Sequence, residues 1–424
     1  MSQPTVCPSL ISSSPMPGAG TWQRLGDLGS PVQVARQLAH RPGFLWLDSA
    51  VVGPGSISML MAEPVSIFSG SIHRDWAAVE KRVAQGGCGG LYGWVGFDGE
   101  FLLGEYLHVL RYDHDAGHWW QQGQAVHELV APTAERQGRV APLDFTPQVS
   151  RQQFIDAVCQ AQAYIAAGDI YQVNLSHPWQ ASWPAEADVL AMYLRLREVS
   201  PAPHSACLDW GEIAVLSASP ELFLKMDGRT IVTRPIKGTR PRFPEDPVRD
   251  AMSARELPLC EKERAELLMI TDLERNDLGQ VCDFGTVQTT DLWKVEAFAQ
   301  VYHLVSTVTG TLRAEVSHAA AFRACFPGGS ISGAPKKRAL EIIAELEPWP
   351  RGLYTGAIGG FGFDGSSQWS IAIRTAIRRG TEVTFHAGSG IVADSIPERE
   401  WEETLHKASG LLRAWQTHEP KSRR

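Results

Sequence analysis

Behind Ser150, apolar residues recur at helical spacing: Phe154, Val158, Ala161 and Ile165. Ser150 with Gln153 forms a candidate capping box at the start of this helix, and Gly168-Asp169 stops it. The period then changes. From Ile170 to Ser176 the residues alternate, with Tyr171, Val173 and Leu175 on one face and Gln172, Asn174 and Ser176 on the other, as in a strand. Upstream, from Thr21 to about Leu143, short apolar runs alternate with glycine turns. Phe44 to Leu47, Val65 to Phe68 and Gly90 to Phe97 predict strands, with a helix near Trp76 to Val83. Further helices are predicted over Glu261–Asn276, Ala334–Leu346 and Glu398–Trp415. There is no regular βαβ period and no internal repeat, so the predicted class is α+β, two packed sheets with helices on the outside. A soft boundary falls at Ala141 to Pro147. It separates a Ser- and Pro-rich segment expected to be disordered (1–20) and an amino-terminal lobe (21–145) from a larger region (146–418).

Composition narrows what this architecture can do. The 424 residues are 44% hydrophobic and 20% charged, as in globular chains that bury a core. The formal charge is -8 and no basic cluster exceeds the terminal Lys421-Ser422-Arg423-Arg424, which argues against nucleic acid as a partner. An anionic substrate would have to be held by local charges or a metal, against the overall field. Seven scattered cysteines without a Cys-x-x-Cys pair fit reduced thiols and a cytoplasmic location. The first twenty residues carry no Lys or Arg, and no window reaches the roughly 20 apolar residues of a membrane span, so neither a leader nor a membrane is expected.

Three constellations could carry chemistry. In the last predicted helix, which Ser395-Ile396-Pro397-Glu398 would open, Glu400, Glu403 and Lys407 fall on one face. Two carboxylates one turn apart can share a hard cation such as Mg²⁺, and Glu266 sits beside an apolar run on another helix; the same stripe also describes a solvated helix face. The second constellation, Phe326 to Lys336, is rich in glycine, with Ser332 or Gly333 as the cap of a helix that carries Pro335 in its first turn. Its backbone N–H groups could meet an anion, or it could be a tight loop with no ligand. Neither it nor His386 to Ile391 has the spacing of a nucleotide-binding loop. The third is Thr233 to Arg240, where an extended backbone puts Lys237 and Thr239 on one face; a desolvated lysine can act as a nucleophile, and an exposed strand lysine is the plain alternative. Gly86-Gly87-Cys88-Gly89-Gly90 has the outline of a nucleophile elbow, but a helical stretch precedes it and a strand follows, the reverse of what that device needs.

Taken together, these segments resemble the chorismate-utilising enzymes. The resemblance runs from about Ser150 to Leu412 in ordered blocks: Tyr171–Ser176 (YQVNLS), Ser219–Leu222 (SPEL), Thr233–Thr239 (TRPIKGT), Arg264–Gly279 (RAELLMITDLERNDLG), His303–Ser306 (HLVS), Phe326–Lys336 and Glu400–Thr404. Residues 21–145 resemble the amino-terminal lobe of the anthranilate-forming members only loosely. The resemblance implies packed antiparallel sheets in a two-lobed fold, with chorismate bound in the 146–418 region. It implies a Mg²⁺ site at Glu266 and Glu403 with Glu400 close by. Gln172, Thr239, Ser330, Tyr354, Arg374, Gly388, Gly390 and Lys407 would contact the substrate, with His303 beside the ring and Glu221 the general acid.

Two positions bear on which reaction is implied. Members that add water carry a lysine base where this chain has Gln172. Members that form anthranilate typically read PIAGT, and those that aminate C4 of chorismate read PIKGT, as here. The resemblance therefore implies attack by Lys237 on C2, departure of the C4 hydroxyl with help from Glu221, and displacement of the lysine by ammonia. Ammonia would come from a separate glutamine amidotransferase subunit, and the lyase step toward p-aminobenzoate would belong to another protein. Anthranilate formation and a catalytically silent chorismate-binding subunit remain the alternatives. Some relatives bind tryptophan in the amino-terminal lobe; Asp48-Ser49 and Pro203-His204-Ser205 are compatible with this, whereas Ser56 to Met59 departs from the usual pattern.

Overall fold

The chain forms two large antiparallel sheets, seen in a computed structural model that describes residues 21–123, 138–298 and 301–416. The segment expected to be disordered (1–20) lies outside the described residues. The helix begun by Ser150 runs Arg151–Ala167, with the reciprocal Ser150–Gln153 capping box formed and Gly168 in the left-handed conformation at its end. The other predicted helices appear as Trp76–Ala84, Glu261–Gly279, Lys336–Leu346 and Pro397–Trp415. Two expected caps do not form. Pro335 itself occupies the cap of Lys336–Leu346, and Ile396 that of the last helix, because the Ser395 hydroxyl is turned back to accept the N–H of Val392.

Both sheets take strands from either side of residue 145. In the 12-stranded sheet, Phe44–Asp48 pairs with His204–Asp209; in the 10-stranded sheet, Gly90–Val95 pairs with Ala357–Gly362. The inner faces meet in a core of Leu45, Met61, Ala206, Leu208 and Val215 from the first sheet against Tyr92, Trp94 and Ile358 from the second. The outer face of the first sheet is covered by the helices Pro31–Leu38, Val189–Val199 and Pro397–Trp415, and that of the second by Trp76–Ala84 and His318–Cys325. The order is therefore helices, sheet, sheet, helices. Strands covered on both faces, such as Gly90–Val95 and Ala357–Gly362, are buried at every position and show no alternation. The six cysteines among the described residues are free thiols. No described helix is long and apolar enough to cross a membrane.

The chain passes between the sheets at two adjacent places. Ile213–Ser219 belongs to the first sheet and Leu222–Asp227 to the second; Ser366–Ile371 belongs to the second and Thr375–Arg379 to the first. The two crossings lie side by side. Ser217 pairs with Thr375 and Leu222 with Ser370, and between them Ile371 N–H donates to Glu221 O at 3.0 Å and Ala218 N–H to Arg374 O at 3.1 Å. Behind this junction Arg351 and Glu347 form a two-pronged ion pair, at 2.7 and 2.8 Å, with both side chains buried. Arg351 also donates to the carbonyls of Asn174 and Ile331, and Glu347 accepts the N–H of Ser176. The pair thus anchors backbone through both of its members, which offsets part of the cost of burying two charges.

Burial keeps several histidines neutral. His177, stacked on Trp401, is pushed down to about 4, as is His303, and His386, stacked on Tyr354, to about 3. Each folded value lies below the ~6.5 of an unfolded histidine, so the unfolded chain binds more protons as the pH falls. The stability these groups contribute is present above about pH 6.5 and is lost as the pH drops toward 4. Thermal unfolding followed at a series of pH values is expected to show Tm falling between pH 7 and 5; a flat Tm over that range would contradict it.

Candidate functional site

Glu221 and Arg374 sit at the two crossings, where neither sheet continues and both side chains face the space between them. Arg374 adopts a left-handed backbone conformation (φ 51°), a cost accepted at a position the two strands over-determine. Burial pushes the Glu221 carboxyl above the usual carboxylate range, against hydrogen bonds from the Ser330 hydroxyl and the Ile236 N–H and against the Lys237 ammonium. A carboxyl that resists ionisation is suited to donating a proton. Burial also lowers Arg374, with Glu221 working the other way, but a guanidinium remains a cation.

Lys237 approaches from the second sheet. Its strand, Ile236–Pro241, pairs with Val301–Thr311, and the register slips between Lys237 and Thr239 around Gly238 (φ 76°). That bulge corrects the expectation that Lys237 and Thr239 simply share a face, because regular alternation is interrupted between them. Thr239 is instead tied to His303, with Oγ1 3.0 Å from Nδ1. The Lys237 ammonium reaches the first sheet, where a Cβ built on Gly390 would lie 3.7 Å from Nζ and 2.7 Å from Gln172 Nε2. Gln172 is 1% exposed, and neither its amide oxygen nor its nitrogen has a hydrogen-bond partner. A buried amide left unsatisfied is costly in a folded protein and marks a place for a polar ligand. Its neighbours explain why residue 390 is glycine: any side chain would fill the space that these two groups share.

Gly388, on the same strand, leaves room for Tyr354, whose Oη would lie 2.7 Å from an added Cβ. The Tyr354 ring stacks on His386 at 5.2 Å, and its hydroxyl bonds to Asn174. Lys407 donates to Gly388 O at 3.0 Å and pairs with Glu403 at 2.7 Å. Burial acts to raise Glu403, but Lys407 outweighs it and holds the carboxyl below its ordinary value. Glu266 is pushed up by burial, with Lys237 opposing and the like charges of Glu263 and Glu403 adding to the rise. Glu266 and Glu403 lie close enough to feel one another's charge, and their oxygen donors suit a hard divalent cation. Glu400 is placed differently, since the Ser389 hydroxyl donates to its Oε2. Among the described residues no group of three or more His, Cys, Asp or Glu is close enough to hold a metal.

Residues expected from the sequence are thus brought to one compartment: Glu221, Ser330 and Arg374 at the crossings, Lys237, Thr239 and His303 from one sheet, and Gln172, Gly388 and Gly390 from the other. Tyr354 and the carboxylates of Glu266 and Glu403 lie at its rim with Lys407. Asn174, which also donates to Ile331 O at 3.2 Å, His386 and the Arg351–Glu347 pair support this compartment and were not foreseen. Asn174 could have been suspected from its place two residues after Gln172 on the same strand face, and His386 from its place at the head of the glycine-bearing segment to Ile391; the Arg351–Glu347 pair comes from a segment without a distinctive local signal. Cys88 follows the helix Trp76–Ala84 and precedes the strand Gly90–Val95, its thiol is pushed up by burial, and it takes no part in the site.

Comparison with known proteins agrees with this geometry. The family described as chorismate binding enzyme matches residues 90–413. The chain is 48% identical over 271 residues to anthranilate synthase component 1 of Streptomyces coelicolor, covering 64% of this chain and 52% of that protein. It is 44% identical over 312 residues to aminodeoxychorismate synthase of Streptomyces griseus (72% and 43%), and 44% identical over 270 residues to aminodeoxychorismate synthase component 1 of Escherichia coli (64% and 59%). The matched part is thus only about half of these curated relatives. The solved structure of anthranilate synthase component I from Streptococcus pneumoniae superposes with a TM-score of 0.76 at 27% identity, over 94% of this chain and all of that one.

Substituting Gly390→Ala tests the compartment directly. The methyl would displace the Gln172 amide, the far end of a side chain, and meet Lys237 Nζ at ordinary contact distance, so the fold should survive. Calorimetric titration with chorismate is expected to show binding weakened about tenfold or more, ~1.4 kcal/mol, with Tm nearly unchanged; wild-type affinity would remove Gly390 from the site.

Proposed function

The chain belongs to the chorismate-binding enzymes, and from that premise we propose that it acts as an aminodeoxychorismate synthase component I, converting chorismate and ammonia to 4-amino-4-deoxychorismate. The observation that carries this reading is the placement of Lys237, whose ammonium lies within electrostatic reach of the Glu221 carboxyl and against Gln172 and Gly390. A bystander lysine would have been free to turn to solvent.

The residues divide the work as follows. Arg374, with its planar fork, and the hydroxyls of Ser330 and Tyr354 would hold the substrate's carboxylate and polar groups. Its ammonium having first lost a proton to solvent, Lys237 forms a bond to C2 through the amine as the ring double bond shifts and the C4 hydroxyl departs, taking the proton of Glu221 to leave as water. Ammonia then bonds to C4, the double bond shifts back, and the lysine amine is expelled, with the excess proton returned to the Glu221 carboxylate. The amine therefore ends at C4 and the lysine is regenerated. Gln172 cannot take a proton from water, and its two unpartnered amide atoms can instead hydrogen-bond substrate or ammonia, which disfavours hydroxylation. Glu266 and Glu403 would hold a Mg²⁺ ion, with water and substrate oxygens completing its shell, and the ion would neutralise a substrate carboxylate at that rim. Ammonia would be delivered by a glutamine amidotransferase partner, since Cys88 is not built as a nucleophile.

A second reading is favoured by the relatives at 45–48% identity, which are named anthranilate synthase component 1. In that reaction the amine enters at C2, pyruvate is lost, and Lys237 has no covalent role.

Incubation with chorismate, Mg²⁺ and excess ammonium, with products resolved by chromatography and mass, separates the two. Aminodeoxychorismate is expected, and Lys237→Ala should lower its formation by about two orders of magnitude or more. Anthranilate as the product, or unchanged kinetics in the variant, would overturn the lysine mechanism. Glu403→Ala is expected to raise the Mg²⁺ concentration needed for half-maximal rate by about tenfold; an unaltered Mg²⁺ response would take Glu403 out of the metal site.

A further inference from the structure

Each carboxylate assigned above to the divalent cation already faces an ammonium from its own helix, one turn away. Glu403 Oε1 lies 2.7 Å from Lys407 Nζ, and Glu266 Oε1 lies 4.0 Å from Lys262 Nζ. Lys262 also stands 3.9 Å from Asp394, in the turn that leads into the last helix. The Lys237 ammonium acts on both Glu266 and Glu403. Of the other acidic groups nearby, Glu263 is paired with Arg240 at 3.4 Å and Asp394 is largely in solvent. Two carboxylates thus stand among three ammonium groups. A divalent cation added to them meets a local charge that is already positive, and a dianion arriving with it restores the balance.

The two helix lysines are held differently. Lys262 lies at the limit of an ion pair and has no tie to the compartment. Lys407 is close to Glu403, and its Nζ also donates to Gly388 O at 3.0 Å. Gly388 is on the strand that carries Gly390, and a Cβ built on it would lie 2.7 Å from Tyr354 Oη. From this tether the Lys407 ammonium already acts on the Tyr354 hydroxyl and the Glu221 carboxyl. The Lys407–Glu403 side chains are 45% and 49% exposed, so parting them costs little. A dication on the other oxygen of Glu403 would share that carboxylate with the ammonium. Repulsion between the two cations outweighs what so exposed a pair contributes.

We propose that Lys407 is an exchangeable counter-ion of the metal site: it holds Glu403 in the absence of the cation, is displaced from that carboxylate when the cation binds, and turns on its Gly388 tether to pair with a carboxylate of the substrate. Cation and dianion thereby each prepare the site for the other, and their binding is mutually reinforcing. The inference rests on the reading of Glu266 and Glu403 as the metal carboxylates given above.

Mn²⁺ serves as the probe, because it shares the preference of Mg²⁺ for carboxylate oxygens and its free form is counted by paramagnetic resonance. The parent is the full chain carrying Glu221→Gln, so that chorismate is bound and not consumed. Chorismate should tighten Mn²⁺ binding about tenfold or more in this parent. With Lys407→Met added, Mn²⁺ alone should bind about threefold more tightly, and the tightening by chorismate should shrink about threefold or more. Lys262→Met supplies the behaviour of a bystander charge: Mn²⁺ alone should bind more tightly, with the tightening by chorismate unchanged. Lys407→Met that keeps the parent's tightening would overturn the proposal. If that variant does not fold, the wild type decides: the ¹³Cε signal of Lys407, assigned through Lys407→Arg, should move on saturation with Mg²⁺ alone, and an unmoved signal would overturn it. A parent that binds no Mn²⁺ even with chorismate would defeat the metal site and this inference with it, whereas bound metal with unaltered tightening defeats the inference alone.

Discussion

The paired crossing between the sheets is the constraint on which the rest of this structure depends. A strand that leaves one sheet for another exposes backbone groups that neither ladder satisfies. Here two crossings lie side by side and satisfy each other, through Ile371 N–H to Glu221 O, Ala218 N–H to Arg374 O and the Ser219 hydroxyl to Ile371 O. Because the crossings are tied together, the sheets cannot slide past one another without breaking these bonds. The side chains carried there, Glu221 and Arg374, are consequently held between two layers and away from water.

That dryness explains the electrostatics of the compartment. An acidic chain holds a cationic guanidinium, a lysine and several carboxyls close together, with hydrogen bonds and mutual compensation in place of solvent. Burial outweighs the bonds from Ser330 and Ile236 and pushes the Glu221 carboxyl above the usual carboxylate range. Arg351 and Glu347 keep their charges because each grips the backbone of the strand beginning at Gln172 or the loop around Ile331. The Gln172 amide is buried without partners, where polar groups of a bound ligand can reach it. The Arg351–Glu347 pair is thus committed to its supporting bonds while the Gln172 amide is not, the division expected of a preorganised site.

Much of the architecture was legible along the chain. The Ser150–Gln153 box, the stop at Gly168, and the helices near 76, 261, 336 and 398 follow from periodicity and capping chemistry, which act over a few residues. Local rules failed where distant groups compete. Ser395 was expected to cap the last helix and instead serves the N–H of Val392. Lys237 and Thr239 were expected to alternate regularly, and a bulge at Gly238 intervenes. The boundary near residue 145 marks a change in the pattern of turns, yet both sheets run across it, because strand pairing is blind to sequence distance.

The sequence by itself determined which residue types were available for chemistry and in which blocks they travel: the lysine within TRPIKGT, the glutamate of SPEL, the glycines at 388 and 390 and the carboxylates of two helices. It also determined the local helices and strands, since these depend on neighbours within one or two turns. Only the tertiary structure decided that Lys237 from one sheet meets Gln172 and Gly390 from the other, that Ser389 occupies an oxygen of Glu400, and that Glu274 accepts from both Gly329 and Thr233. Those meetings join residues far apart in the chain, Lys237 and Gly390 by 153 positions. They arise because burying both faces of two sheets forces the crossings, and whatever side chains stand there, into one small space.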